Sequence, residues 1–257
     1  MTKLAIVGSS HVGAIRQAAP RVLAEYPGLQ VGWFALPGAP FRRMQVDGDG
    51  VLQFEAANGA EKQTARRVNG DICLDLKGFD QVWVVGNRFE FGRIMRLFLE
   101  HDVLEWPSTG AKRTMSEAFG LRVLNTLIKR SCDRIKGRFG DDTRVVLTPG
   151  PYFSETALTE GVGFDKWMSA LFVHPHAAKL EALFEATIRD QLAARGYGFL
   201  PQPAETRALR FATKAEYLSD ARDFRDLDRK LADLHHMNAD YGYALFKSFA
   251  ELHLAKG

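Results

Sequence analysis

Short apolar runs, each cut off by glycine or proline, alternate along the chain with longer stretches of helical periodicity. Leu4-Ala5-Ile6-Val7 is continuously apolar and stops at Gly8, the pattern of a strand buried on both faces. Val12 to Tyr26 then repeats apolar residues at helical spacing through Val12, Ile15, Ala19, Val22 and Leu23, with Pro20 placed to kink or split the helix. Val31 to Leu36 predicts a second buried strand, ended by Pro37-Gly38-Ala39-Pro40. Strand, helix and strand at this spacing form a βαβ unit, which implies a parallel sheet with a right-handed crossover.

Residues 45–78 break this rhythm. They are rich in glycine and alternate over Val51-Leu52-Gln53-Phe54-Glu55, so they predict a small antiparallel excursion with turns at Asp47-Gly48 and Asn58-Gly59. Gln81 to Val85 returns to the central sheet and ends in Gly86-Asn87-Arg88. Helices are expected over Arg93–Val103, over Thr114–Arg138 (apolar side Phe119, Val123, Leu124, Leu127, Ile128, Ile135) and over Pro175–Arg195. Further strands are expected at Arg144–Leu147 and Tyr197–Leu200, the first closed by Thr148-Pro149-Gly150-Pro151. A loop lies around Gly161-Val162-Gly163, residues 204–235 read as a charged loop with a short helix, and Ala239–Leu254 as a closing helix. The expected architecture is one domain over residues 1–257: a flavodoxin-like, three-layer α/β/α sandwich on a central parallel sheet.

Composition narrows the function classes. The 257 residues are 46% hydrophobic and 25% charged, an ordinary mix for a globular protein with a sizeable core. A net charge of +3, without a block of uncompensated Lys or Arg, does not point to nucleic acid. Cys73 and Cys132 have no metal-like spacing and read as two reduced thiols. Only four apolar residues precede Gly8, short of the roughly 7–15 of a signal peptide. No run approaches the roughly 20 residues of a membrane span. A cytoplasmic protein without membrane contact is expected, and no cofactor.

In an open parallel sheet, ligands bind outside the carboxyl ends of the strands. Those ends carry Ser9-Ser10-His11, Pro37-Gly38, Gly86-Asn87-Arg88, Pro149-Gly150 and the loop at 201–206. Among them are a hydroxyl at Ser10, an unencumbered backbone N–H at Gly38 and an amide donor at Asn87, the parts acyl transfer needs around a developing oxyanion. Near the other end of the chain, Asp233 and His236 stand three apart, ahead of the last helix. A carboxylate at that spacing can orient an imidazole, and an imidazole can activate a serine. Each piece also has a plain structural reading: Ser9 or Ser10 as the N-cap of the first helix, Asp233 as the cap of the last.

These segments resemble the SGNH (GDSL-like) hydrolase family over nearly the whole chain. Gly8-Ser9-Ser10 is similar to the family's Gly-Asp-Ser block, Gly38 to its second-block glycine, and Gly86-Asn87 to its Gly-x-Asn block, here without the intervening residue. Asp233-Leu234-His235-His236 matches its Asp-x-x-His block in full. The resemblance implies a Ser10–Asp233–His236 triad and an oxyanion hole built from the Ser10 N–H, the Gly38 N–H and the Asn87 amide. Ser9 replaces an aspartate that is not itself a triad member.

Around this site, Arg88 is the leading candidate for holding an anionic or polar substrate group, with Arg42 and Arg43 behind it. His11 either contacts substrate or fills space. Gly8 and Gly13 have the four-residue gap of a P-loop, but Ala14-Ile15 stands where Lys-Ser/Thr is required. His174, His176, His235 and His236 make no standard zinc pattern. Trp33 and Trp83 are expected in the core. The function expected is a serine ester hydrolase working through an acyl-enzyme on a small acyl ester, such as the O-acetyl group of a sugar or metabolite. An acyltransferase with the same triad and a non-catalytic binding protein are the alternatives.

Overall fold

The structure is a computed structural model that describes residues 1–158, 166–219 and 234–254. Twelve strands and eight α-helices follow one another as β1 (Thr2–Gly8), α1 (Val12–Glu25), β2 (Leu29–Ala35), α2 (Ala39–Arg42), β3 (Met44–Val46), β4 (Val51–Phe54), α3 (Gly59–Asn69), β5 (Cys73–Asp75), β6 (Gln81–Asn87), α4 (Phe91–Glu100), β7 (His101–Val103), β8 (Arg113–Met115), α5 (Glu117–Phe139), β9 (Val145–Pro149), β10 (Phe153–Ser154), α6 (Lys166–Phe172), α7 (Ala177–Ala193), β11 (Gly198–Phe199), β12 (Ala212–Thr213) and α8 (Ala239–Phe249) among the described residues.

Five of these strands form one parallel sheet in the order β11-β9-β6-β1-β2. The alternation of side chains along β1 assigns its two faces. Leu4 and Ile6 pack with Trp83, Val85 and Val146 under Val12, Ile15 and Val22 of α1 and Tyr241, Leu245, Phe246 and Phe249 of α8. Ala5 and Val7 join Val82, Val84, Val145 and Leu147 on the opposite face, with Ile94 and Phe98 of α4, Leu124 and Ile128 of α5, and Phe184 and Ile188 of α7. This is the expected three-layer α/β/α sandwich. Trp83, wholly buried, stacks on Phe249 with ring centroids 4.3 Å apart and donates to Thr148 Oγ1 at 2.8 Å. Trp33, in contrast to expectation, is only half-buried.

The antiparallel excursion exists as the sheet β3-β4-β5, but a helix, α3, is inserted in it where a turn at Asn58-Gly59 was expected. Asn58 is the N-cap, its side chain accepting from the Glu61 N–H at 3.0 Å. Of the helix only Ala65 is buried, so no apolar stripe announced it. At its end, Asn69 donates to the Ala35 carbonyl at 3.0 Å and accepts the Ala35 N–H at 2.7 Å, closing the exposed edge of β2.

Other boundaries also differ. The helix expected over Arg93–Val103 is α4, three residues of its C-terminal part being β7 instead. The one expected from Thr114 begins at Glu117, because Ser116 caps it and Arg113–Met115 is β8. Phe119 does not face the core; it is 52% exposed. The closing helix is regular to Phe249 and widens to a π-turn over Ala250–Leu254. The loop expected around Gly161 lies outside the described residues.

Helix α1 leaves the sheet beside the first strand end, and α8 lies across it. Their crossing is closest at Gly242, where an added Cβ would stand 2.0 Å from the Ala14 carbonyl oxygen and 2.8 Å from the Ile15 nitrogen. Only a glycine permits this approach. Gly242→Ala therefore forces the helices apart and is expected to cost about 1–3 kcal/mol, the typical penalty of overpacking, despite alanine's better helix propensity. Urea unfolding of the two proteins checks it; a variant as stable as the parent would contradict the close crossing.

Candidate functional site

The sheet order places the topological switch between β1 and β6, whose chains depart to opposite sides. The crevice at such a switch is where open α/β sheets bind ligands. Three chain segments reach it: Ser9-Ser10-His11 after β1, Gly38 after β2, and Asn87-Arg88 at the end of β6.

Close approach of these segments is a matter of glycine. An added Cβ on Gly8 would lie 2.2 Å from the Val85 carbonyl oxygen, and one on Gly86 only 2.0 Å from Ser9 Oγ and 3.2 Å from His11 Cδ2. Gly86 also has φ +102°, and the pairing of β6 with β9 slips its register between Val85 and Asn87. Such irregularities re-aim side chains at strand ends. Here the slip brings Asn87 into the same cavity as Ser10, although no residue separates it from Gly86.

Ser10 Oγ lies 2.8 Å from His236 Nε2, across 226 positions of sequence. The hydroxyl donates when Nε2 carries the lone pair. Neither plain capping role applies: His11 occupies the N-cap position of α1 with no side-chain cap bond, and Asn238 caps α8 by accepting from the N–H groups of Asp240 and Tyr241. Asp233 lies outside the described residues. His11 packs over Gly86 and Gly150 with its ring centroid 5.4 Å from that of His236, so it lies between the strand ends and the imidazole.

The Asn87 Nδ2 donor is buried without a partner. Among the described residues, the backbone N–H groups of Ser10 and Gly38 also donate to no protein acceptor. A buried, unpaired donor normally carries a desolvation cost of about 1–3 kcal/mol, and Asn87 lines the same cavity as Ser10 and Gly38.

That cavity measures about 570 Å³, the size of a small-molecule site. Its lining includes Arg42 of α2, expected as a secondary candidate for a substrate group, and residues that sequence reasoning did not assign to the site: Phe41 of α2, and Ser131, Arg134, Ile135 and Arg138 along one side of α5. The signal present in the sequence was the i, i+3, i+7 spacing of Ser131, Arg134 and Arg138 within a helix, polar residues where only apolar ones had been traced. Burial, and then the positive charges of Arg134 and Arg42, hold the Arg138 pKa below its ordinary value. Arg134 donates to Glu90 Oε1 at 2.6 Å. Arg88 lines the cavity, with its guanidinium 5.7 Å from the Phe153 ring. Arg43 does not take part; it pairs with Glu61 at 2.6 Å. Phe89 and Glu90, also in the wall, are consecutive non-glycine residues at positive φ, 44° and 59°, a costly backbone that concentrates at functional sites.

The histidines do not gather. His176 bonds the Pro107 carbonyl at 2.7 Å while His236 meets Ser10. Among the described residues, no group of three or more His, Cys, Asp or Glu side chains is placed to hold a metal ion. No helix among them is long and apolar enough to cross a membrane.

A second recess of about 100 Å³ opens behind His236, lined in part by Gln17, Ser219 and Tyr241. The Tyr241 hydroxyl is buried without a hydrogen-bond partner, and burial drives its pKa well above the ordinary phenol value. Tyr241→Phe removes an unsatisfied group at constant shape. It is expected to raise stability by about 1 kcal/mol, read from denaturant midpoints; a loss of that size would mean the hydroxyl is paired in solution.

No protein-family model matches the chain, and no curated protein matches its sequence. One solved structure that superimposes on it is the periplasmic domain of the lipopolysaccharide acetyltransferase of Salmonella ser. Paratyphi A, with a TM-score of 0.41 and 10% identity over 97% of this chain and 82% of that one. At that level of likeness, the reading of the site rests on its own geometry.

Proposed function

We propose that the chain is a serine enzyme of the SGNH type that transfers acyl groups through an acyl-enzyme, most simply hydrolysing a small acyl ester of a sugar or metabolite. The observation that carries this reading is the 2.8 Å contact between Ser10 Oγ and His236 Nε2, at the edge of a cavity lined also by Asn87, whose amide is buried and unpaired among the described residues.

The chemistry follows from those positions. Ser10 Oγ attacks the ester carbonyl while its proton passes to His236 Nε2. The carbonyl oxygen becomes an anion facing the Ser10 and Gly38 N–H groups and Asn87 Nδ2, donors that need no reorganisation when the charge forms. Collapse expels the alcohol, which takes the proton from His236. A nucleophile deprotonated by the same imidazole then releases the acyl group. In the sequence resemblance, Asp233 orients His236 for both transfers. His11, packed against the same glycines, positions the imidazole or meets the substrate.

Which nucleophile completes the cycle separates a hydrolase from an acyltransferase. The recess behind His236, about 100 Å³, accommodates a few waters or the end of an alcohol, so both outcomes belong to one mechanism. We place the protein in the cytoplasm, without membrane or nucleic-acid partners. That placement accords with two free thiols, Cys73 and the buried Cys132, whose pKa burial pushes up to about 11.

Hydrolysis of p-nitrophenyl esters from acetate to octanoate tests the reading. Ser10→Ala is expected to lower the rate by roughly a thousandfold or more, and to abolish labelling by a fluorophosphonate. Equal rates and equal labelling in both proteins would sink the proposal. Asn87→Ala is expected to lower kcat by about 10²–10³-fold with little change in KM, as for other lost oxyanion donors; a change confined to KM would assign Asn87 to ground-state binding instead. Adding an alcohol acceptor and following acyl products shows whether transfer outruns hydrolysis.

A further inference from the structure

The wall opposite Ser10 is more strongly charged than acyl transfer from a neutral ester requires. Among the described residues, the guanidiniums of Arg42, Arg134 and Arg138 line the cavity beside the carboxylate of Glu90, with Arg88 nearby. Glu90 is already engaged with Arg134. Some arginines elsewhere are matched, Arg21 with Asp240, Arg43 with Glu61, Arg144 with Asp142 and Arg195 with Asp133. Others, such as Arg66, Arg67 and Arg122, stand singly on the surface among the described residues. What distinguishes the cavity is that its arginines share one space. Arg42 and Arg138 have no carboxylate partner among the described residues, yet each adds to a group of like charges facing one space.

Arg138 is half-buried with its guanidinium 5.8 Å from the Phe41 ring, which fixes its direction along the wall. Arg42 arrives from a different element, the one-turn helix that follows Gly38. Arg42 and Arg134 are exposed and Arg138 is half-buried, so their mutual repulsion is moderated by water, but like charges brought together from two elements around one concave space still favour an anion that joins them. A single carboxylate is satisfied by one bidentate guanidinium. Two unpaired guanidiniums with a third beside them suit a group with three charged or polar oxygens.

We propose that the Arg42–Arg134–Arg138 wall binds a phosphoryl group carried by the substrate, so that the ester worked on at Ser10 belongs to a phosphorylated molecule. This rests on the acyl-transfer reading of Ser10 for its consequence, but not for the binding itself. The phosphoryl group belongs either to the alcohol, as in a sugar phosphate, or to the acyl donor, as in a coenzyme A thioester. In both cases it anchors the molecule at one end of the cavity while the carbonyl reaches the oxyanion donors at the other.

The test is calorimetric titration of the intact protein with inorganic pyrophosphate at fixed ionic strength. It is repeated on Arg42→Gln, Arg138→Gln, Arg138→Lys and, as a control away from the cavity, Arg66→Gln, with thermal melts to verify folding. Each glutamine variant is expected to bind about tenfold more weakly or worse, the loss of one charge-assisted pair. Arg138→Lys is expected to recover part of the loss, and Arg66→Gln to match the parent. Absence of binding up to about 10 mM, a Kd corresponding to under 3 kcal/mol, would overturn the proposal. So would affinity undiminished in Arg42→Gln and Arg138→Gln. Either result leaves Ser10-dependent ester hydrolysis untouched, while failure of serine labelling beside intact pyrophosphate binding would remove the acyl-transfer reading and keep the anion site. Glucose 1-phosphate and coenzyme A, run as competitors of pyrophosphate, tell the two sources apart by which displaces it at lower concentration.

Discussion

The crossing of α1 and α8 at Gly242 is the constraint on which the site depends. Ser10 stands two residues before α1, and His236 three residues before α8. A hydrogen bond of 2.8 Å between them tolerates little error, so the two helices must be held in one relative position. They are, because backbone meets backbone at Gly242 with no flexible side chain between to absorb a shift. Trp83, stacked on Phe249, fixes the far end of α8 to the centre of the sheet. Ser10 and His236 are thus oriented by the core rather than by their own loops.

A second constraint acts at the strand ends. Gly8 and Gly86 let β1 and β6 approach until Ser9 and His11 touch the β6 backbone, and the register slip after Val85 turns Asn87 inward. The energetic signs of function coincide there: an unpaired buried amide, two consecutive left-handed residues and a group of like charges. Each is unfavourable for folding alone. Together they mark this crevice as the candidate ligand site of the fold.

Much of this frame was legible in the sequence because burial on both faces writes continuous apolar runs. Leu4–Val7 and Gln81–Val85 named the central strands, and the polar residues just beyond them named the site. Helix α3 was not legible, since a helix that buries only Ala65 leaves no periodic stripe. Phe119 misled for the converse reason: an aromatic residue in phase with a buried face is nonetheless exposed where the helix end clears the core. The arginine wall was hidden by distance along the chain. Arg42 and Arg138 lie nearly a hundred positions apart, and only the folding of α2 against α5 makes them neighbours. The shortened Gly86-Asn87 pair was legible as a motif but not as a geometry, which depended on the register of a partner strand.

The span between Ser10 and His236, 226 positions, also governs when reactivity appears. The serine leaves the ribosome 226 positions ahead of the imidazole, and α1 has no α8 to rest against until then. During synthesis the hydroxyl is without its imidazole partner, and the contact between them forms only once α8 has docked on α1.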